Sequence, residues 1–405
     1  MKVLYINHYG VFGGAQRSML EMLDAFPSGV VEPVILSPKG KATIVFQKSG
    51  IPCYTVAGIS KFDHTLYSYY RGVRWMILLR ELLYFFPTTW FFISKRKALK
   101  DIDLVHINEV TCLLPLVLAK RLLKKPVVVH SRAVLNTNTR LWRTRFVTKL
   151  LDRHADSIIA IDDTVAQSVP AQKKLTVIHN GLRMDGILSR TTDNDLGERL
   201  KSLPRRRLTL GFIGNISPAK GIFELVEAVK QCISEGMDIN LVIIGNNNNS
   251  GSSFFAKVLR GLRITFNAVH FVNEFITENA LQEHIHMVGF STDLKTFYQY
   301  IDVVVFPSHY QALGRPVFEA AFFHKPAIVA IENPLPDTFI EGVTGLGVKI
   351  NDPSSLQMAI RSVYDDPGSL VKMGEGAYAL ANANFDIEIN SKRVVALYKK
   401  LLFSK

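Results

Sequence analysis

The sequence is poor in cysteine, holding three in 405 residues: Cys53, Cys112 and Cys232. They lie far apart and without metal-ligand spacing, which speaks against a disulfide scaffold or a metal site and fits free thiols in a reducing compartment, the cytosol. A G-x-G-x-x-G run is also missing. Neither Gly13-Gly14 nor Gly214 sits in that fingerprint, so an NAD-dependent oxidoreductase is disfavoured. No recognised nucleic-acid module appears, and the aromatics fall in apolar blocks instead of alternating with basic residues, so nucleic acid is not an expected partner. Met1-Lys2 runs directly into the strand pattern Val3–Ile6 with no leader of the signal-peptide kind, and none is expected.

Long uncharged apolar runs are absent as well. The nearest, 75–93, carries Arg80 and Glu81 near its middle, is broken by Pro87, and is flanked by Arg71, Arg74, Lys95, Arg96, Lys97 and Lys100. Charge at that depth opposes a membrane span. Leucine and aromatic faces with basic ends predict that 66–100 lies on an anionic membrane surface instead. The competing reading is a helix pair buried against a sheet, with its lysines in water.

What the sequence does contain is apolar material for two full cores, 48% of a chain longer than one core usually supports. Two α/β domains are expected, at 1–185 and 208–380, with a polar linker at 186–207 and a helix at 381–405 packing back on the first domain. The charge is lopsided. Residues 1–200 hold 28 Lys and Arg against 16 Asp and Glu, whereas 201–405 hold 20 against 19. The basic first half, including Lys120, Arg121, Lys124, Lys125, Arg140, Arg143, Arg145 and Lys149, implies an anionic partner.

The chemistry is carried by strand-to-helix junctions. Val303–Phe306 reads as a buried parallel strand, stopped by Pro307 and followed by a polar loop, Gly314, and Pro316 in a first helical turn. Orphan backbone N–H groups at such a turn favour an anion. Strand Leu208–Ile213 leads to Gly214–Gly221, where Lys220 offers a point charge to phosphate, or is an ordinary surface lysine. In the first half, Val3–Ile6 leads to Gly13-Gly14 and a helix; strands at Pro33–Leu36, Leu104–His106, Val127–His130, Ser157–Ala160 and Thr176–Ile178 follow, with helical patterns between most of them. Such alternation gives open, doubly wound parallel sheets with ligands beyond the carboxyl ends of the strands. Asn108-Glu109 and His130-Ser131-Arg132 fall there. His130 is suited to bind a substrate hydroxyl or carry a proton, or is satisfied by a loop carbonyl.

The order of these motifs, with His179-Asn180-Gly181, Val288-Gly289-Phe290 and Glu341-Gly342-Val343-Thr344-Gly345, resembles the retaining glycosyltransferases of family 4 over essentially the whole chain. The resemblance implies the GT-B fold, two facing Rossmann-like domains with a ligand cleft between them. It implies a UDP- or GDP-linked sugar as donor substrate, no cofactor and no metal, and a saccharide or lipid-linked saccharide acceptor at the cytoplasmic face of a bacterial plasma membrane. His130 and Lys220 would be catalytic. Gly13, Gly14, Asn215, Lys220, Phe290, Gln311, Ala312, Leu313, Gly314 and Glu319 would bind the donor, and Asn108 and Arg132 would lie on the acceptor side. Two positions depart from the family pattern. Gln311 stands where the first of two glutamates is expected, with seven residues between it and Glu319, and Asn215 replaces an arginine five residues before Lys220. A GT-B-fold sugar-nucleotide epimerase and a nucleotide-sugar-binding protein with reduced catalysis are the alternatives.

Overall fold

A computed structural model describes residues 1–66, 76–183, 194–245, 267–291, 293–310 and 312–403. The chain divides into two compact units, Met1–Leu182 with Asn384–Lys405, and Arg183–Ala383. The fold is α/β, and each unit is built on one parallel sheet.

In the first unit the strands are β1 (Lys2–Ile6), β2 (Glu32–Pro38), β3 (Cys53–Val56), β4 (Leu104–Ile107), β5 (Val127–Ser131), β6 (Ser157–Ala160) and β7 (Leu175–Val177). Their spatial order is β3-β2-β1-β4-β5-β6-β7. Both faces are covered by apolar clusters, which is why β4, β5 and β6 are buried at every position and are built mostly of Val, Leu and Ile. The carboxyl-terminal helix Ile387–Phe403 belongs to this unit: Val394 and Tyr398 are buried in the same cluster as Val3, Tyr5 and Met19.

The second unit carries β8 (Leu208–Ile213), β9 (Ile239–Ile244), β10 (Ile285–Gly289), β11 (Val303–Phe306), β12 (Ala327–Ala330) and β13 (Gly345–Val348), in the order β10-β9-β8-β11-β12-β13. Strands β3, β12 and β13 have no counterpart in the sequence reading. The strand β3 is only half-buried and mixes apolar with polar residues, and β13 contains two glycines.

The expected linker at 186–207 is corrected in part. Residues 194–201 form the helix Asn194–Lys201, whose Leu196 and Leu200 are buried in the core of the second unit beside Val242 and Phe297; its polar face had hidden that apolar pair. Residues 184–193 and the Asn246–Asn249 run lie outside the described residues.

The apolar segment before β4 packs one face on the sheet and leaves the other exposed. Two helices, Met76–Leu83 and Phe85–Ser94, pack one face into the sheet through Phe91 and Phe92, which are 5% and 0% exposed. Glu81 is buried, accepts from Arg80 Nη2 at 2.7 Å, and takes the backbone N–H of Lys61 at 3.3 Å. The opposite face leaves Leu79, Leu82, Leu83, Phe85, Phe86, Trp90 and Ile93 exposed, and Lys95, Arg96, Lys97 and Lys100 follow it at the surface. Among the described residues no helix is long and apolar enough to cross a membrane.

Candidate active site

In open sheets of this kind, ligands bind where the strand order reverses, beyond the carboxyl ends of the strands. That point lies between β8 and β11 in the second unit, and between β1 and β4 in the first.

Around the second unit's switch point, the loop after β8 and the loop after β11 are clamped together. His309 donates its backbone N–H to the Ala219 carbonyl at 3.1 Å. Gly221 has φ +70°, and a Cβ there would stand 1.9 Å from the Pro307 carbonyl oxygen, so only glycine permits both the turn and the approach. Gly314 likewise crosses the Phe306 ring, where a Cβ would meet Cζ at 2.6 Å. Between the loops stands Lys220. Its Nζ is 5.2 Å from the centre of the Phe306 ring and 5.1 Å from that of Tyr310, and burial lowers its pKa. No carboxylate among the described residues pairs with it. A desolvated ammonium held by two aromatic faces is a site prepared for an anion.

The other predicted donor contacts are distributed as follows. Asn215 lies just beyond β8, and Phe290, just after β10, is 70% exposed. Ala312 and Leu313 are partly buried, Leu313 against the cluster containing Phe306. Gln311 lies outside the described residues. Glu319, in the helix Arg315–Ala321, is 2% exposed and already engaged: Oε1 accepts from Arg315 Nε and Nη2 at 3.2 and 3.1 Å, and Oε2 from the Tyr298 hydroxyl at 3.1 Å. Arg315 is thus paired with Glu319 within the same helix. The sequence also missed His309, whose Nε2 meets Glu224 Oε1 at 3.1 Å beside the Lys220 loop.

In the first unit the ends of β1, β4 and β5 bring Asn7, His106, Asn108, His130 and Arg132 together. Arg132 donates from Nε to Asn108 Oδ1 at 2.9 Å, from Nη1 to Asn180 Oδ1, and from Nη2 to His130 Nδ1 at 3.3 Å. Asn108 is fully buried and donates to the Ala15 carbonyl at 3.4 Å, so the two residues read as an acceptor pair are first of all the brace of the loop. His130 is 3% exposed, and burial, then Arg132, then His106 drive its pKa well below the imidazole range. It is neutral near pH 7, so its ring offers one N–H donor and one lone pair. Its Nε2 is buried and has no partner among the described residues.

The glycine loop is held from inside. Gly13 donates its N–H to Gln16 Oε1 at 3.2 Å, and Gln16 Nε2 donates to Asn7 Oδ1 at 2.8 Å, placing Gly14 at the start of the helix Gly14–Asp24. The Gly13-x-x-Gln16 spacing, that of a capping box with its first side chain missing, was the available signal for Gln16. His8 is another buried imidazole, lowered to about 3 by burial and by Lys61. A cavity of about 990 Å³ lies along the helix Trp142–His154, lined by Arg145, Lys149 and Arg153 among others, and touches none of the predicted site residues. Among the described residues no cluster of three or more potential metal ligands is present.

Two doubly wound units of this order define the GT-B class of α/β proteins, and solved structures share the architecture. The glycosyltransferase from Rickettsia africae matches at TM-score 0.76 with 18% identity, covering 100% of this chain and 99% of that one. Anabaena Alr3699/HepE, solved in complex with UDP, matches at TM-score 0.74 with 18% identity, covering 99% and 100%. Residues 12–185 match the family described as Glycosyltransferase Family 4, and residues 199–380 match Glycosyl transferases group 1. The chain belongs to the family 4 glycosyltransferases. Among its relatives, the Staphylococcus aureus capsular polysaccharide biosynthesis glycosyltransferase CapM is 23% identical over 69% of this chain and 72% of its own length. The Rhizobium leguminosarum lipopolysaccharide core biosynthesis mannosyltransferase LpcC is 25% identical over 66% and 71%.

Proposed function

We propose that this glycosyltransferase moves a hexosyl group from a UDP- or GDP-sugar to a hydroxyl of a saccharide or lipid-linked saccharide, with retention at the anomeric carbon, in the synthesis of a bacterial surface polysaccharide or lipopolysaccharide. The observation that carries this reading is Lys220, a desolvated ammonium without a carboxylate partner among the described residues, at the switch point of a nucleotide-binding-type sheet. In the proposed step the bond between the anomeric carbon and the β-phosphate oxygen breaks as the acceptor oxygen bonds to the same face of that carbon. The acceptor proton passes to the departing phosphate oxygen. Lys220 and the backbone N–H groups of the Gly314 turn take up the growing negative charge, the usual largest contribution to such a rate. This route needs no metal, and activity is expected to persist in EDTA. Gln311, in place of a glutamate, would bear on the choice of donor sugar.

The exposed face of the helices Met76–Leu83 and Phe85–Ser94, with Lys95, Arg96, Lys97 and Lys100 beside it, supports a peripheral position on an anionic membrane, at its cytoplasmic side, where a lipid-linked acceptor is presented. The experiment is a thermal-shift screen of UDP-, GDP- and CMP-sugars, followed by product analysis of the stabilising donor with and without saccharide acceptor. Stabilisation by a UDP- or GDP-sugar and acceptor-dependent glycoside formation, α from an α-linked donor, is the expected result. An epimerised sugar nucleotide without acceptor, or binding with no turnover, would overturn it.

A further inference from the structure

One hydrogen-bonded chain runs through the core of the first unit from the carboxyl-terminal helix to His130. The Tyr5 and Tyr398 hydroxyls are 3.1 Å apart, the Tyr398 hydroxyl is 2.7 Å from His106 Nδ1, and His106 Nε2 is 3.3 Å from His130 Nδ1. All four side chains are buried, His130 the most exposed at 3%. At its far end the chain meets Arg132, whose Nη2 is 3.3 Å from the same His130 Nδ1. His130 Nε2, on the other side of the ring, has no hydrogen-bond partner among the described residues.

A guanidinium has donors only, so the nitrogen it faces must present a lone pair. His130 Nδ1 is then bare, and the neutral ring carries its proton on Nε2. The bond from His106 to that bare nitrogen requires the proton on His106 Nε2, which leaves His106 Nδ1 as acceptor of the Tyr398 hydroxyl. The Tyr398 oxygen in turn accepts from Tyr5. Every proton in the chain points toward His130. The reverse order would set an Nδ1–H of His130 against an Nη2–H of Arg132. Burial and the same arginine also oppose a second proton on either imidazole, His106 being lowered to about 3.

We propose that Tyr398 and Arg132 act as positioning residues that lock His130 in the Nε2–H tautomer, through His106 in the case of Tyr398, so that His130 is a fixed hydrogen-bond donor awaiting a ligand oxygen. The identity of that oxygen, a hydroxyl of the donor sugar, rests on the reading given above; the tautomer does not. Two consequences follow for the site. His130 selects an oxygen that can accept, and it has no free lone pair with which to remove the acceptor's proton. The carboxyl-terminal helix, remote in sequence, becomes part of the site's chemistry instead of a packing element alone.

The test is two-bond 1H–15N correlation of the ligand-free full chain labelled with 15N-histidine, His106 and His130 being assigned by single His→Gln variants. Expected is one protonated Nε2 and one bare Nδ1 in each ring. A protonated Nδ1 on His130 in the wild type overturns the proposal, whether or not any variant folds. In Tyr398→Phe, His106 Nδ1 loses its donor, and the single pattern of that ring should give way to mixed tautomers, while Arg132 still opposes a proton on His130 Nδ1. Retention of one pattern would remove Tyr398 from the role. No substrate is needed, so failure of this result and failure of the transferase reading are separate outcomes.

Discussion

The Lys220 ammonium stands 5.2 Å from the centre of the Phe306 ring, on a loop that Gly221 presses against the carbonyl of Pro307. The last residue of β11 thus supports the cation that the loop after β8 delivers, and burial without a carboxylate partner makes that cation costly until an anion arrives. Lys220→Ala is expected to lower kcat/KM for sugar transfer by about 100-fold or more, the scale for losing a main charge partner of the transition state. The same change should leave the melting temperature equal or higher, because it removes a desolvated charge. Near-normal rates would take Lys220 out of the site.

Gly221→Ala should damage the fold where Lys220→Ala does not. A Cβ would lie 1.9 Å from the Pro307 oxygen at a φ of +70°. The clash is with backbone, so the loop must move, at an expected loss of about 2 kcal/mol or more in urea unfolding. A loss below about 0.5 kcal/mol would mean that the two loops are not clamped as described.

Glu109 gives a pH test with a definite sign. Burial raises its carboxyl from 4.5 to about 7, against the pull of the Val110 N–H and Arg132. Between those values the folded carboxyl keeps a proton that the unfolded one has lost, so this group's contribution to stability falls as pH rises from 4.5 to about 7. The lowered histidines His8 and His106 have the opposite slope, from about 3 up to 6.5, and are common to wild type and variant. Glu109→Gln should therefore gain stability relative to wild type at pH 8 compared with pH 5, read from urea midpoints. An equal difference at both pH values would show that the carboxyl is not held protonated.

The exposed apolar face predicts vesicle binding that depends on two separable features. Replacing Leu79, Phe86 and Trp90, each more than half exposed, by serine should abolish cosedimentation with phosphatidylglycerol vesicles while leaving the melting temperature within a few degrees. Lys95→Glu, Arg96→Glu and Lys97→Glu together should do the same, and salt should weaken wild-type binding. Unchanged binding in both variants would leave the helix pair as a packing element.

Much of the fold was legible because doubly wound sheets write themselves locally: Val127–Val129 and Val303–Phe306 are apolar runs buried on both faces, each followed by a loop and a helix start. The same locality marked Lys220 and Gly314 as candidates at strand ends, whereas Glu319 came from the family resemblance. Short or glycine-bearing strands such as β13 escaped, as did the apolar pair in the polar stretch at Asn194–Lys201.

By itself, then, the sequence determined the two α/β units, the junctions that carry the site, and the departures Asn215 and Gln311, because helix starts, strand runs and turn residues are chosen within a few positions of one another. Only the tertiary structure decided what the charges and imidazoles do. Arg315 is spent on Glu319 and Arg132 on Asn108, Asn180 and His130. Tyr398 reaches His106 across 292 positions of sequence. Such pairings follow from which strand ends and which helix the topology sets side by side, and no local pattern records them.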